Sequence, residues 1–384
     1  MSKVDGLIQE LCPGGVEYAS LGEAESAGLI TMGRGKVISK KALEATPGDY
    51  PVYSSSAAGT GEFGRYGDFM FDDERITWSI DGGGKFFYRP EHRYSVTNVS
   101  GWMTSDSSVL SLKFLYQSLL SQWAREEFDY TRKAHPSVIR EVYTIPLPPL
   151  EVQEEIVRIL DQFVELDRET EEEIVGREKQ FAIALESMSD FPDAPISLIA
   201  DVCSRVCSGG TPSSKVEKYY GGDIPWVRTQ DVQMKVIHEA SATITEAGLE
   251  ASSAKWIKAN SVIVAMYGAT AAKVALTTIP VTTNQACCNL EIDPGVADFR
   301  FVYYWLMRSY ENLKALGEGS QSNINSAKVK SFPIPLPPLE VQEEIAAKLD
   351  KFTEYIDNLK RERELRQKQY EYYRDWLLDF EVKE

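Results

Sequence analysis

Several residue sets in this 384-residue sequence have the right types for chemistry, and their spacing decides what each can do. Gly59-Thr60-Gly61-Glu62-Phe63-Gly64 has the form GxGxxG, which cradles a pyrophosphate when it opens a helix. Here Arg65-Tyr66-Gly67-Asp68-Phe69 follows, with no helix opening, so no helix N-terminus receives the phosphate and the segment reads as a loop. Asp81-Gly82-Gly83-Gly84-Lys85 is a glycine turn ending in lysine, without the Gly-Lys-Ser/Thr of a P-loop. Cys203-x3-Cys207 with Cys287-Cys288 offers thiols for a metal. Adjacent thiols suit tetrahedral zinc poorly, and His92, His135 and His238 are scattered, so the reading is reduced thiols and no metal. With Cys12 the count is odd, which argues against a disulfide framework. The prolines of Leu147-Pro148-Pro149 and Leu336-Pro337-Pro338 do not make the Asn/Asp-Pro-Pro-aromatic motif of adenine methyltransferases. No nucleophile, base or metal constellation emerges. The chain is expected to be no enzyme and to bind no cofactor itself.

Composition bounds the alternatives. Hydrophobic residues make up 43% and aromatics 11%, values of a chain with real cores. The N-terminus lacks an apolar signal region, and no apolar run approaches the roughly 20 residues that span a bilayer. A cytoplasmic protein is expected. The net charge of −17 argues at first against nucleic acid. Residues 150–190 and 339–384, however, hold −9 and −4 of it, and the rest is close to neutral. Phosphate attraction would then come from local loops or from partner subunits.

What must position any site is a duplication. Ile145 to Ile156 reads IPLPPLEVQEEI, and Ile334 to Ile345 repeats the same twelve residues 189 positions later. Proline cannot enter a helix interior, so each copy starts extended and becomes helical just after. Glutamates then occupy the first turn, facing the positive end of the dipole. In the second copy Ile345, Leu349, Phe352, Ile356, Leu359, Arg363, Arg366, Tyr370, Tyr373, Leu377 and Phe380 recur in steps of four and three. The first copy gives Ile156, Leu160, Phe163, Asp167, Thr170, Ile174, Arg177, Phe181, Ala184 and Met188 in the same phase. That is coiled-coil spacing with a polar interruption in mid-seam. With the helices antiparallel and their ends aligned, Asp167 and Thr170 should lie opposite the Arg366 region, and Arg363 and Arg366, as buried arginines, want carboxylates from residues 165–178.

The chain is therefore divided as residues 1–144, a first domain; 145–190, a central helix; 191–333, a second domain; and 334–384, a C-terminal helix. Ser261–Gly268 and Lys273–Ile279 read as strands, and Phe299–Leu316 as a helix. The first domain shows strands around Pro51–Ser56 and Arg75–Ile80, then a helix over Leu112–Phe128. The fold class is α+β: two domains of mixed sheet plus helices, separated by two long antiparallel coiled-coil helices in a pseudo-twofold repeat.

Across essentially its whole length the sequence resembles the specificity subunits of type I restriction-modification systems. PLPPLEVQEEI, twice, is similar to the start of that family's two structural helices. Ser208-Gly209-Gly210-Thr211-Pro212, Tyr219 to Asp231, Ser253-Ala254-Lys255, Gly268-Ala269-Thr270, Thr283-Asn284-Gln285 and Gly319 to Asn325 resemble its target-recognition signature. The first domain matches through Tyr50 to Ser56 and Ile80 to Gly84, and lacks the GGTP and PWVR blocks. The resemblance implies that each target-recognition domain reads one half of a bipartite site on double-stranded DNA. The helices set the spacing and dock two methyltransferase subunits, which bind S-adenosylmethionine and methylate adenine. Motor-nuclease subunits are further partners it allows. A specificity subunit of another multisubunit restriction class would share this architecture. A coiled-coil scaffold without DNA function would not explain the polar loops recurring in both domains.

On that reading base contacts are expected from Ser208, Thr211, Arg228, Gln230, Lys273, Asn284, Gln285, Gln321 and Asn323 in the second domain. Arginine pairs with guanine, and Asn or Gln with adenine, through two hydrogen bonds. Ser, Thr and Asn can equally well satisfy turn backbone. First-domain candidates are Arg34, Lys36, Ser55, Asp81, Lys85, Asn98 and Lys133.

Overall fold

A computed structural model of the chain describes residues 3–55, 59–129, 131–189, 191–317 and 323–383. It divides into two compact units, Met1–Glu171 with Arg361–Glu384, and Glu172–Lys360. Among the described residues no helix is long and apolar enough to cross a membrane.

The first unit is built on an antiparallel sheet in the order Ile30–Arg34, Ser100–Ser105, Arg75–Ser79, Phe86–Arg89. Trp78, Ile76, Met103 and Phe86 are fully buried in its core, against Phe114, Leu115 and Leu119 of the helix Leu112–Trp123. A second sheet joins Glu62–Tyr66, Tyr50–Tyr53 and Ser95–Val96, the last two parallel. Tyr18–Ser20 pairs with Thr144–Pro146 just before the first copy's prolines.

The second unit repeats this plan. Its main sheet runs Cys203–Ser208, Cys287–Ile292, Ser261–Ala265, Val274–Thr277, and then adds Lys235–Ile237, parallel to Val274–Thr277, an edge strand without counterpart among the described residues of the first unit. A three-stranded sheet places Tyr220–Val227 parallel to Thr282–Thr283, and Ile196–Leu198 pairs with Pro333–Pro335. The helix Phe299–Arg308 buries Phe301, Val302, Tyr304 and Leu306.

Three expected elements differ. Glu62–Tyr66 is a strand, not a loop, because Val52 pairs with Gly64 and Tyr50 with Tyr66. The helix read to Phe128 ends at Trp123, where the Ala124 N–H turns back to the Gln122 carbonyl and the Trp123 indole donates to the Gly83 carbonyl at 2.8 Å. The helix read over Phe299–Leu316 breaks at the buried Ser309 into Phe299–Arg308 and Tyr310–Ala315.

Each twelve-residue copy ends in a long helix, Leu150–Glu186 and Leu339–Leu377. Within the copies Gln153 and Gln342 are both 1% exposed. Gln153 accepts from the Ser111 N–H at 2.8 Å and donates to the Val109 and Pro148 carbonyls. Gln342 accepts from the Asp298 N–H at 3.1 Å and donates to the Pro337 carbonyl. Ser111 and Asp298 are the N-caps of the two domain helices. One buried amide thus ties each domain helix to the start of a long helix, and burial makes it costly to leave any of these groups unpaired.

Candidate nucleic-acid interface

In the second unit the sheet ends place most of the candidate residues in several small hydrogen-bonded groups. Because Val227 pairs with Thr283, the chain after each strand emerges side by side, and the Asn284 N–H reaches the Val227 carbonyl at 3.0 Å. Gly209 and Gly210 lie against this junction, where a Cβ on Gly209 would sit 2.1 Å from the Thr283 carbonyl oxygen. Only glycine allows that approach. Thr211 hydrogen-bonds the Gln285 side chain, both exposed. Asn284 uses its Oδ1 on the Ala286 N–H and the Cys287 thiol, so it closes its own turn. Ser208, exposed, ends the strand that pairs with Cys288.

Arg228 is half-buried. Its backbone N–H donates to Asp231 and its Nη2 to the Ser241 hydroxyl at 3.1 Å, while its buried Nε has no partner. Beyond it Lys273 donates to Gln233 Oε1 at 2.6 Å, and Gln233 Nε2 donates to the Gln230 carbonyl at 3.1 Å. Thr270 caps the Thr229 carbonyl, and Asn323 Oδ1 accepts from the Gly268 N–H at 3.2 Å. Met234 and Ala272 hold φ of 57° and 67°, a left-handed backbone uncommon for residues with a Cβ. Gln321 lies outside the described residues, as do positions 319–322 of its motif and Ser56 of the first-domain motif.

The first unit brings its candidates together more loosely. Arg34 donates through Nε and Nη2 to the Asn98 carbonyl at 3.1 and 2.6 Å. The Lys36 N–H reaches the Val96 carbonyl, and Thr97 Oγ1 donates to Ser54 Oγ at 2.9 Å. Ser55 offers its carbonyl to Ser79 Oγ at 2.6 Å, and that hydroxyl accepts from the Gly82 N–H. Asp81 and Lys133 pair with each other at 3.0 Å, so each neutralises the other. Lys85 sits over the Phe87 ring at 5.3 Å. Buried Arg89 lies 3.6 Å from the Tyr53 ring centroid and bonds Thr77 Oγ1; desolvation lowers its pKa from the usual guanidinium value.

Sequence reasoning missed Gln233, Ser241 and Asn289. The amide of buried Asn289 donates to Thr283 Oγ1 at 2.8 Å, while its Oδ1 is unpartnered. An asparagine amid Cys287-Cys288 and Leu290 was the available signal, since a polar residue in a buried strand needs a partner. Of the cysteines, Cys203 and Cys288 face one core and Cys207 and Cys287 the other. Burial pushes the Cys203 thiol up to about 12, with Cys288 adding to the rise. Among the described residues no group of His, Cys, Asp or Glu is placed to hold a metal ion.

On the helices Arg363 forks onto Asp167 at 2.8 and 3.1 Å and also pairs with Glu171. The bonds to Asp167 hold its pKa above the ordinary guanidinium value. Arg366 meets Thr170 as expected, donating to its Oγ1 at 3.0 Å, but its carboxylate is Glu362 of its own helix, at 2.6 Å, and not one from the facing helix. Neither arginine is buried; their side chains are 38% and 34% exposed, because the helix pair is open to solvent on its flanks.

The chain is thus two units of one plan, each an α+β body with polar loops at its sheet ends and a share of both long helices. The chain matches the type I restriction modification DNA specificity domain over residues 23–175 and 196–367, and it belongs to that family. It is similar to the Escherichia coli type I restriction enzyme EcoR124I/EcoR124II specificity subunit, 33% identical over 72% of each chain. The Methanocaldococcus jannaschii MjaIX specificity subunit is 30% identical over 49% of this chain and 45% of that one. In fold the chain is similar to a crystal structure of the type I restriction-modification S subunit from M. genitalium, with a TM-score of 0.62, 16% identity and coverage of 95% and 96%.

Proposed function

We propose that this chain reads a bipartite site on double-stranded DNA for a type I restriction-modification complex and leaves the chemistry to its partners. The observation that carries the reading is the paired arrangement of polar loops at corresponding sheet ends, 208–211 with 283–285 in one unit and 34–36 with 96–98 in the other. Such loops can offer amide and guanidinium groups to base edges in the major groove. Each unit takes one half-site, and the long helices set the spacing and dock two methyltransferase subunits. Those subunits bind S-adenosylmethionine; motor-nuclease subunits complete the restriction assembly. The acidic helices suit basic partner surfaces, and partner subunits supply the phosphate attraction that a net charge of −17 withholds.

Replacing residues 191–333 with those of a relative and sequencing the methylated sites of the host tests this directly. One half of the motif should change while the other half and the gap stay. A change in both halves together would refute modular reading. The purified chain, incubated alone with tritiated S-adenosylmethionine and DNA, should transfer no methyl group above background.

A further inference from the structure

The duplication relates each residue of the first long helix to one 189 positions later, and at one place the two copies are filled differently. In the first unit Phe163 is covered by Tyr373, their ring centroids 5.6 Å apart and planes 30° from parallel, with Trp376 edge-on to Tyr373 at 6.3 Å. In the second unit the counterpart of Phe163 is Phe352, and the counterparts of Tyr373 and Trp376 are Ala184 and Ser187. The missing rings leave a groove of about 670 Å³ beside Phe352, lined also by Tyr355 and Leu349. Its rim carries Lys351, together with Lys348 and Arg177, which are paired with Glu344 and Glu173 of their own helices. The segment that fills the equivalent place in the first unit has Glu371 and Asp375 on either side of Tyr373.

We propose that this groove receives an aromatic side chain, carried on an acidic segment of the methyltransferase subunit, in the position that Tyr373 takes in the first unit. The proposal rests on the reading that the helices dock methyltransferase subunits, and adds that the two units dock them inequivalently. The sister copy shows that the seam accepts a tyrosine on this phenylalanine, and exposed Lys351 on the rim complements the carboxylates that flank it there. Buried aromatic anchors dominate protein interfaces, so one filled groove is enough to distinguish the two positions.

The test co-expresses the full chain with its cognate methyltransferase subunit and measures both stoichiometry and affinity. Ala184→Tyr places in the second unit the ring that the first unit already has. It should weaken one of the two methyltransferase subunits by about tenfold or more and leave the other unchanged. Lys351→Glu, at an exposed position that makes no demand on folding, should weaken the same subunit severalfold. If Ala184→Tyr lowers the melting temperature of the chain, Lys351→Glu decides. Wild-type affinity at both positions in the folded variants would overturn the proposal. Self-association of the unaltered chain that Ala184→Tyr abolishes would assign the groove to a second copy, presenting its exposed Tyr372 or Trp376, and also overturn it. Failure of the unaltered chain to bind any methyltransferase subunit would instead overturn the docking reading itself, and the groove's assignment with it.

Discussion

The same seam is built from opposite chemistry in the two units. In the first, Asp167 and Arg363 face each other as a forked ion pair. The repeat maps these positions onto Ile356 and Ile174 of the second unit, both buried, at 6% and 4% exposure. Thr170 and Arg366 likewise map onto Leu359 and Arg177, and that arginine lies over the Tyr355 ring at 5.1 Å. Antiparallel packing therefore does not depend on the ion pair. What a polar pair adds is register, since a slip of one heptad would strand its charges against apolar seam positions. The two copies keep the same buried glutamine and diverge in what lies beyond it.

The glutamines offer the sharpest way to break the comparison. Gln153→Ala leaves the Ser111 N–H and two carbonyls unpaired in a buried site, which should cost the first unit about 3 kcal/mol. Gln342→Ala removes two bonds and should cost the second unit about 2 kcal/mol. Hydrogen exchange of the helices Leu112–Trp123 and Phe299–Arg308 under mild denaturant separates the two effects, and equal loss in both helices from either variant would refute the local account.

Next in size comes the seam. Asp167→Ile alone should destabilise by about 1 kcal/mol, because Arg363 is over a third exposed and keeps Glu171. Adding Arg363→Ile copies the second unit's apolar pair and should restore or exceed the original stability. A double variant less stable than either single one would show that the ion pair holds the seam together.

A further effect belongs to Glu155, itself 4% exposed, whose cationic partners Lys3 and Arg158 are largely exposed and screened. Hydrogen bonds from Arg158 first, and then Lys3, hold its carboxyl down at about 2. A lowered folded pKa contributes stability above the ordinary value of 4.5, and that contribution is lost as pH falls from there toward 2. Glu155→Gln should flatten the acid limb of the stability curve over that window. Glu344, the same residue of the second copy, is exposed and paired with the exposed Lys348, so Glu344→Gln should flatten it less. Acid titrations of both variants followed by circular dichroism make the measurement, and equal slopes would contradict it.

The duplication, the two long helices and the seam phase were legible because a heptad pattern repeats over ten positions and prolines mark where each helix opens. The polar–apolar exchange in mid-seam was legible too, as Asp167 against Ile356 and Ile174 against Arg363. The burial of Gln153 and Gln342 was not. Periodicity places a glutamine on a helix face, and only the fold supplies the N-cap it serves. Lys235–Ile237 was invisible for a different reason: three residues carry no alternation, and a parallel edge strand is defined by its neighbour. The candidate loop residues could be named from motifs, but their bonding was hidden. Nothing in sequence order says that Asp81 is neutralised by Lys133, or that Lys273 reaches Gln233.

The division of the chain also orders its synthesis. The second unit is one uninterrupted stretch, Glu172–Lys360, whereas the first is completed by residues 361–384. Tyr370, Leu377, Leu378 and Phe380 belong to the first unit's core, and Val16 pairs with Val382 across almost the whole chain. A domain emerging from the ribosome closes only contacts already made, and long-range ones close last. The half that is translated first must therefore finish folding last, holding Ile156 and Leu160 without their partner helix until some two hundred further residues have been made.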